Sequence, residues 1–236
     1  MNAKPTYGLI GRGRVASHMA RYLSLEGQPC IQWHRGSAPR LEGVLEPCDV
    51  ILLAISDDAI GPFVANHPLL ANRSLVHFSG SLVVDGINGC HPLMTFGPEF
   101  YDLPTYRSMA FVTERGGVDF ETLFPALVNP AWVIDPALKP VYHALCVLGG
   151  NFTTLLWAKV FADFEDRLGL PASALRPYLE QTCSNLVSSG GAALTGPLSR
   201  GDRKTIENNL EALKGDPFAE VYRAFVAVSE LEEVTG

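Results

Sequence analysis

A glycine turn near the start of the chain constrains the fold more than any other feature. The apolar run Tyr7-Gly8-Leu9-Ile10 leads into Gly11-Arg12-Gly13-Arg14-Val15-Ala16, and a helix-like stretch follows from Val15 to Glu26. A G-x-G-x-x-A turn between a strand and a helix lets the backbone bend sharply and approach a pyrophosphate. The helix N-terminus adds N–H groups and partial positive charge. A second short run ends in His34-Arg35, where units of this kind usually carry an acid. An Asp or Glu there would hold a ribose 2′-hydroxyl and repel a 2′-phosphate, whereas an arginine attracts the phosphate. The expected ligand is NADP(H), held by Gly11, Arg12, Gly13, Arg14, Val15, Ala16, His34, Arg35 and Ser37. Such a turn also serves as an ordinary strand-to-helix connection, Arg12 and Arg14 face either phosphates or solvent, and surface arginines after strands are common. The succession of strand, turn, helix and strand carries the reading.

The rest of the first half repeats this alternation. Candidate strands are Thr6–Ile10, Cys30–His34, Asp49–Ile55, Ser74–Phe78, Met109–Thr113 and Trp132–Ile134. The third is nearly all apolar, as expected for a central strand covered on both faces. It runs out through Ala54 into Ser56-Asp57-Asp58, which supplies N-cap residues for a helix carrying Ile60, Phe63 and Val64 on one face. The pattern is that of an α/β fold with a mostly parallel, doubly wound sheet.

After about Asp135 the texture becomes helical. Apolar residues recur at helical spacing through Val141, Leu145, Leu148, Phe152, Leu155 and Leu156, which predicts one long helix from Pro136 to about Arg167. Gly149-Gly150 in its middle costs roughly 1 kcal/mol per glycine against alanine, and predicts a kink or a close approach by cofactor, substrate or partner helix. Further helices are expected over Ala172–Ser188, about Asp202–Lys214 and Asp216–Glu233, with a loop from Gly190 to Asp202 between the first two. The expected division is a nucleotide-binding domain over 1–135 and an all-α domain over 136–236. So small a helical piece has limited core, which points to packing on the sheet domain or a second subunit, and a homodimer is expected.

Composition narrows the classes. Twenty-five acids against 18 bases leave a formal net charge of −7, which argues against general nucleic-acid binding. No stretch approaches the uninterrupted apolar length of a membrane span, and the N-terminal apolar run is only a strand long, so a cytoplasmic protein is expected. The five cysteines, Cys30, Cys48, Cys90, Cys146 and Cys183, include no C-x-x-C pair and read as free thiols rather than a disulfide framework or zinc site. No metal is expected.

Ligands of open α/β sheets bind beyond the C-terminal strand ends, here Gly11–Arg14, His34–Ser37, the Ala54–Asp58 segment with Ala54 and Ser56, and Ser79-Gly80-Ser81. Ser79 is either a nicotinamide neighbour or a satisfied turn serine. His91, before Pro92, is held extended and reads as a structural histidine in a loop. His143 and Asn151, eight residues apart on the long helix, are offset by 80° and can border one cleft two turns apart. A histidine titrating near neutrality suits proton donation to a forming alkoxide, with Asn151 as orienter, although a packing histidine fits the same helix. Lys159 is a further candidate acid or a solvated lysine. In Thr195-Gly196-Pro197-Leu198-Ser199-Arg200-Gly201-Asp202, Arg200 either clamps a substrate carboxylate beside Thr195 or forms an ion pair with Asp202 or another acid.

These segments together, with Ser56-Asp57-Asp58-Ala59-Ile60, His77-Phe78-Ser79-Gly80, His91-Pro92-Leu93, Tyr142-His143-Ala144 and Thr195-Gly196-Pro197…Arg200-Gly201-Asp202, resemble the Rossmann-like proteins with a C-terminal helical domain of unknown function. That group is similar to pyrroline-5-carboxylate reductases, prephenate dehydrogenases and β-hydroxyacid dehydrogenases. The resemblance implies a Rossmann domain and, since some members act as an alternative ketopantoate reductase, reduction of a 2-oxo acid by NADPH. The glycine-rich signature of β-hydroxyacid dehydrogenases that ends Lys-x3-Asn is absent, because position 163 is Asp, so its catalytic lysine does not transfer to Lys159.

The function expected from the sequence is therefore an NADPH-dependent reductase of a small carboxylated carbonyl compound, ketopantoate first, with catalytic His143, Asn151, Arg200 and Thr195. The alternatives are a cyclic-imine reductase, a methyltransferase, which His34-Arg35 disfavours, and a non-catalytic NADP(H) sensor.

Overall fold

The computed structural model describes residues 5–36 and 41–235. Seven strands form one sheet in the order β2-β1-β3-β4-β5-β6-β7. They are β1 (Tyr7–Ile10), β2 (Cys30–Trp33), β3 (Val50–Leu53), β4 (Ser74–His77), β5 (Asn88–Leu93), β6 (Ala110–Glu114) and β7 (Ala131–Ile134). All neighbours run parallel except β5 and β6. Alternation along the strands sorts the core into two clusters. Tyr7, Leu9, Val50, Leu52 and Val76 belong to one, and Ile10, Ile51, Leu53 and Leu75 to the other. The first is covered by Ala16, Met19, Tyr22 and Leu23 of helix α1 (Arg14–Leu25), and the second by Leu41 and Leu45 of α2 (Leu41–Leu45) and Ile60 of α3 (Asp57–Ala65). Helices on both faces of a parallel sheet give the Rossmann fold expected from the glycine turn.

One strand was not legible as such. His91-Pro92 reads as loop, yet both lie in β5. Proline cannot donate to a sheet ladder and is confined to positions partnered on one side. Pairing of β5 with β4 ends at Gly89, so Pro92 faces a strand only on the β6 side. Two short helices flank β6, α4 (Leu103–Ser108) and α5 (Phe120–Leu123).

From Pro136 onward every element is helical: α6 (Lys139–Cys146), a π turn (Val147–Phe152), α7 (Thr153–Asp166), α8 (Arg176–Ser189), α9 (Gly196–Ser199), α10 (Arg203–Ala212) and α11 (Phe218–Thr235). The π turn holds Gly149 and Gly150, so the cost of the glycine pair is expressed as a local change of hydrogen bonding, a common cause of helix bending. The chain forms two compact units, residues 1–156 and 157–236, which divide within this helical stretch.

Residues 136–166 are long and apolar enough to cross a membrane by length and composition. Their exposed apolar side chains are regularly spaced, however. Val141, Leu145, Leu148, Phe152 and Leu155 are each more than half exposed, and their steps of four and three residues are those of a coiled-coil seam. In the second unit, Lys159 is tied to Asp163 at 2.5 Å and Asp216 at 2.6 Å, and Trp157 contacts Phe161 and Tyr178. Lys159 is thus an ion-pair partner rather than a poised acid. The stretch between α8 and α10, expected as loop, contains α9 and a helical turn at Gly190–Ala193. All five cysteines are free.

Candidate functional site

The cleft at the C-terminal ends of β1, β2 and β3 has a volume of about 900 Å³. Its floor is backbone. Gly11 has φ +134°, and a Cβ there would lie 2.2 Å from the Ala54 carbonyl oxygen, so only glycine lets the turn pass beside the end of β3. Gly13 is the N-cap of α1 with no side-chain cap, and a Cβ on it would meet open space. The first N–H groups of a twelve-residue helix therefore face an open cradle, which fits a pyrophosphate.

Arg12, Arg14, Val15, His34, Arg35, Ala54 and Ser56 line this cleft, as the sequence predicts, together with Ser79 at its far end. Ala16 is buried just behind the turn. Ser37 lies outside the described residues. The sequence reading missed Trp33, Phe63 and His67, which add aromatic lining to the same cleft. The Trp33–Phe63 and Phe63–His67 ring centroids lie 6.3 and 4.3 Å apart, so the three rings form one aromatic cluster.

Ser79 follows β4 and is fully engaged. Its hydroxyl donates to Asp57 Oδ2 at 2.6 Å and accepts from the backbone of Leu82 at 3.0 Å and Ser81 at 3.3 Å. The run Ser56-Asp57-Asp58 was expected to supply the N-cap of α3. Ser56 occupies that position without a side-chain cap, and the Asp57 carboxylate instead orders the Ser79–Leu82 turn.

The next residue, Gly80, is where the candidate chemistry converges. A Cβ on it would lie 2.7 Å from His143 Cδ2 and 3.2 Å from His91 Nε2. The two imidazoles are 6.5 Å apart, and His91 Nδ1 lies 2.6 Å from the Tyr142 hydroxyl. Burial, then the neighbouring His143 and Lys139, bring His91 down to about 4, and burial pushes the Tyr142 phenol up. Both groups are thus neutral at physiological pH. In the tautomer where Tyr142 donates to Nδ1, the His91 hydrogen sits on Nε2, the nitrogen next to Gly80.

A buried ionic network lies behind the turn. Lys139 is 3% exposed and donates to Glu114 Oε1 and to the Leu82 carbonyl, each at 2.5 Å. His77 accepts the Ser79 N–H at Nδ1, and its Nε2 stands 3.9 Å from Glu114. Burial, then Lys139, lowers His77 to about 4.

Asn151 is exposed within the π turn. Thr195 and Arg200 belong to the second unit, as the exposed residues flanking α9. Asp202 caps α10 through Thr205. Among the described residues no group of three or more His, Cys, Asp or Glu could hold a metal.

Residues 115–228 match the family described as a domain of unknown function, DUF2520. The match begins directly after β6 and runs through the helices. No curated protein matches the chain. Among solved structures, a Bacteroides fragilis protein provisionally assigned as an NADP oxidoreductase is similar over 96% of this chain and 98% of its own, with TM-score 0.78 and 18% identity. A Plasmodium falciparum pyrroline carboxylate reductase with NADP bound is similar over 95% of both chains, with TM-score 0.59 and 14% identity. An Aspergillus terreus reductive aminase in complex with NADPH and ethyl levulinate is similar over 99% of this chain and 95% of its own, with TM-score 0.62 and 15% identity. At such identities the likeness is one of fold.

Proposed function

We propose that this chain is an NADPH-dependent reductase of a small carboxylated carbonyl compound, with ketopantoate as the first substrate to test. The observation that carries the reading is continuity. A cleft suited to a dinucleotide ends at Ser79, and the next residue, Gly80, is flanked by two imidazoles with a phenol behind one of them.

Gly11, Gly13 and the first turn of α1 would hold the pyrophosphate, and Arg35 the 2′-phosphate. Bound NADPH supplies a hydride to the carbonyl carbon. His143 gives a proton to the carbonyl oxygen, so the product is an alcohol and the ring is left one proton short. His91, held neutral, offers an Nε2–H to the developing negative charge. Asn151, Thr195 and Arg200 keep the roles assigned from sequence, Asn151 as orienter and the other two as partners of the substrate carboxylate.

A second reading is reduction of a cyclic imine such as pyrroline-5-carboxylate. The Asp57 carboxylate on the Ser79–Leu82 turn favours it, because an iminium is a cation. Following NADPH consumption with ketopantoate, other 2-oxo acids and cyclic imines decides between the two. Saturable NADPH binding without turnover on any of them would replace both by a different substrate or by the sensor.

A second copy of this chain is the partner we assign to the seam Val141–Leu155. Apolar steps of four and three match an identical helix, and the glycines of the π turn leave room for close approach. Sedimentation should give a dimer. Monomer in buffer with binding to vesicles would assign the same helix to a membrane.

A further inference from the structure

We propose that Lys139 is a positioning residue that sets the spacing between the Ser79–Leu82 turn and the Tyr142–His143 turn of α6. This rests on the reading of Gly80 as the reaction centre. Lys139 is the first residue of α6, and Tyr142 and His143 follow it three and four positions later, one helical turn away. Its ammonium group is tied at two points. One is the carbonyl of Leu82, whose own N–H donates to Ser79 Oγ. The other is Glu114, at the end of β6. The lysine thereby joins the helix, the turn and the sheet at a single buried atom.

The surroundings are built for this contact. A Cβ on Gly89 of β5 would lie 2.0 Å from Glu114 Oε1 and 2.9 Å from Lys139 Nζ, so the pair crosses the strand where no side chain stands. His77 faces the same carboxylate from β4 and fixes Ser79 through its backbone N–H. A lysine this deeply buried is retained against a desolvation cost that an apolar pair would avoid. Its contact with Leu82 is one that no apolar side chain reproduces. The ring edges of His143 and His91 then fill the space in which a side chain on Gly80 would stand, because the helix cannot slide along the turn.

The test separates this role from simple charge balance. Lys139→Met alone leaves Glu114 buried and unpaired and is expected to fold poorly, so the informative protein is Lys139→Met combined with Glu114→Gln. Removing both charges should restore the melting temperature close to that of the parent while leaving the Leu82 carbonyl untied. Two readouts follow. Turnover should fall on the order of 10²-fold, the usual cost of a small displacement, with NADPH affinity unchanged. The nuclear Overhauser contact between the His143 ring and the Gly80 α-protons should weaken. A double variant with parental turnover overturns the proposal, whatever the contact does. Reduced turnover with an undiminished contact overturns it too, by showing that the lysine acts otherwise than by spacing. A parent inert on every substrate sinks the functional reading instead, and the proton contact still decides whether Lys139 positions the helix.

Discussion

The two ends of the candidate site are built from different materials. At the nucleotide end the chain offers backbone: the Gly11 turn, the open N-terminus of α1 and the carbonyl of Ala54. Around Gly80 it offers side chains, with His91 from β5, Tyr142 and His143 from α6, and Asp57 from α3. A backbone site tolerates almost any neighbour but not a Cβ on its glycine. A side-chain site depends on elements distant in sequence arriving in register.

The sharpest way to break the contrast is Gly11→Ala. It combines positive φ with a backbone clash, and should cost about 3 kcal/mol or more and abolish NADPH binding together with stability, measured by thermal unfolding and titration. Wild-type binding in that variant would mean that the turn is not the phosphate cradle. His143→Ala, in contrast, should reduce turnover by about 10²- to 10⁴-fold with NADPH affinity and melting temperature held. A loss of affinity of the same size would erase the division between the two ends.

Acid should act on the side-chain end. His77 and His91 titrate near 6.5 when unfolded and about 4 when folded. The unfolded state then binds more protons between these values, so stability is complete above about pH 6.5 and declines as the pH falls toward 4. The loss approaches about 3 kcal/mol per histidine, and denaturant melts across that range would measure it. A flat profile would mean that neither ring is buried neutral. The smallest effect sharpens the nucleotide end. Arg35→Ala should weaken NADPH by about tenfold and leave NADH unaltered. Equal losses for both cofactors would remove the 2′-phosphate role.

Legibility followed the same line. Gly11–Ala16 and Arg35 are contiguous with the strands that place them, so strand, turn and helix periodicity suffice to put them at the strand ends. His143 was visible as a histidine on a mostly apolar helix, and the structure adds its contact with Gly80. His91 read as a loop residue because Pro92 disguises β5, and Tyr142 carried no signal beyond being beside His143. Lys139 was silent. A lysine near a helix start is ordinary, and nothing local shows that Glu114, twenty-five residues earlier, lies under it. The glycine pair at 149–150 predicted a disturbance in the long helix but not its form as a π turn.

The sequence by itself determined the alternation of strands and helices, the glycine turn with its open helix end, and the change to pure helix after Asp135. Each depends on residues within a few positions of one another, where backbone sterics and side-chain period act directly. The tertiary structure alone decided that β5 is a strand, that Asp57 serves a turn rather than a cap, and that His91, Tyr142 and His143 gather at Gly80 over a buried lysine. Those outcomes depend on which strands lie side by side and on which polar groups find partners once water is excluded, and neither is encoded at any single place in the chain.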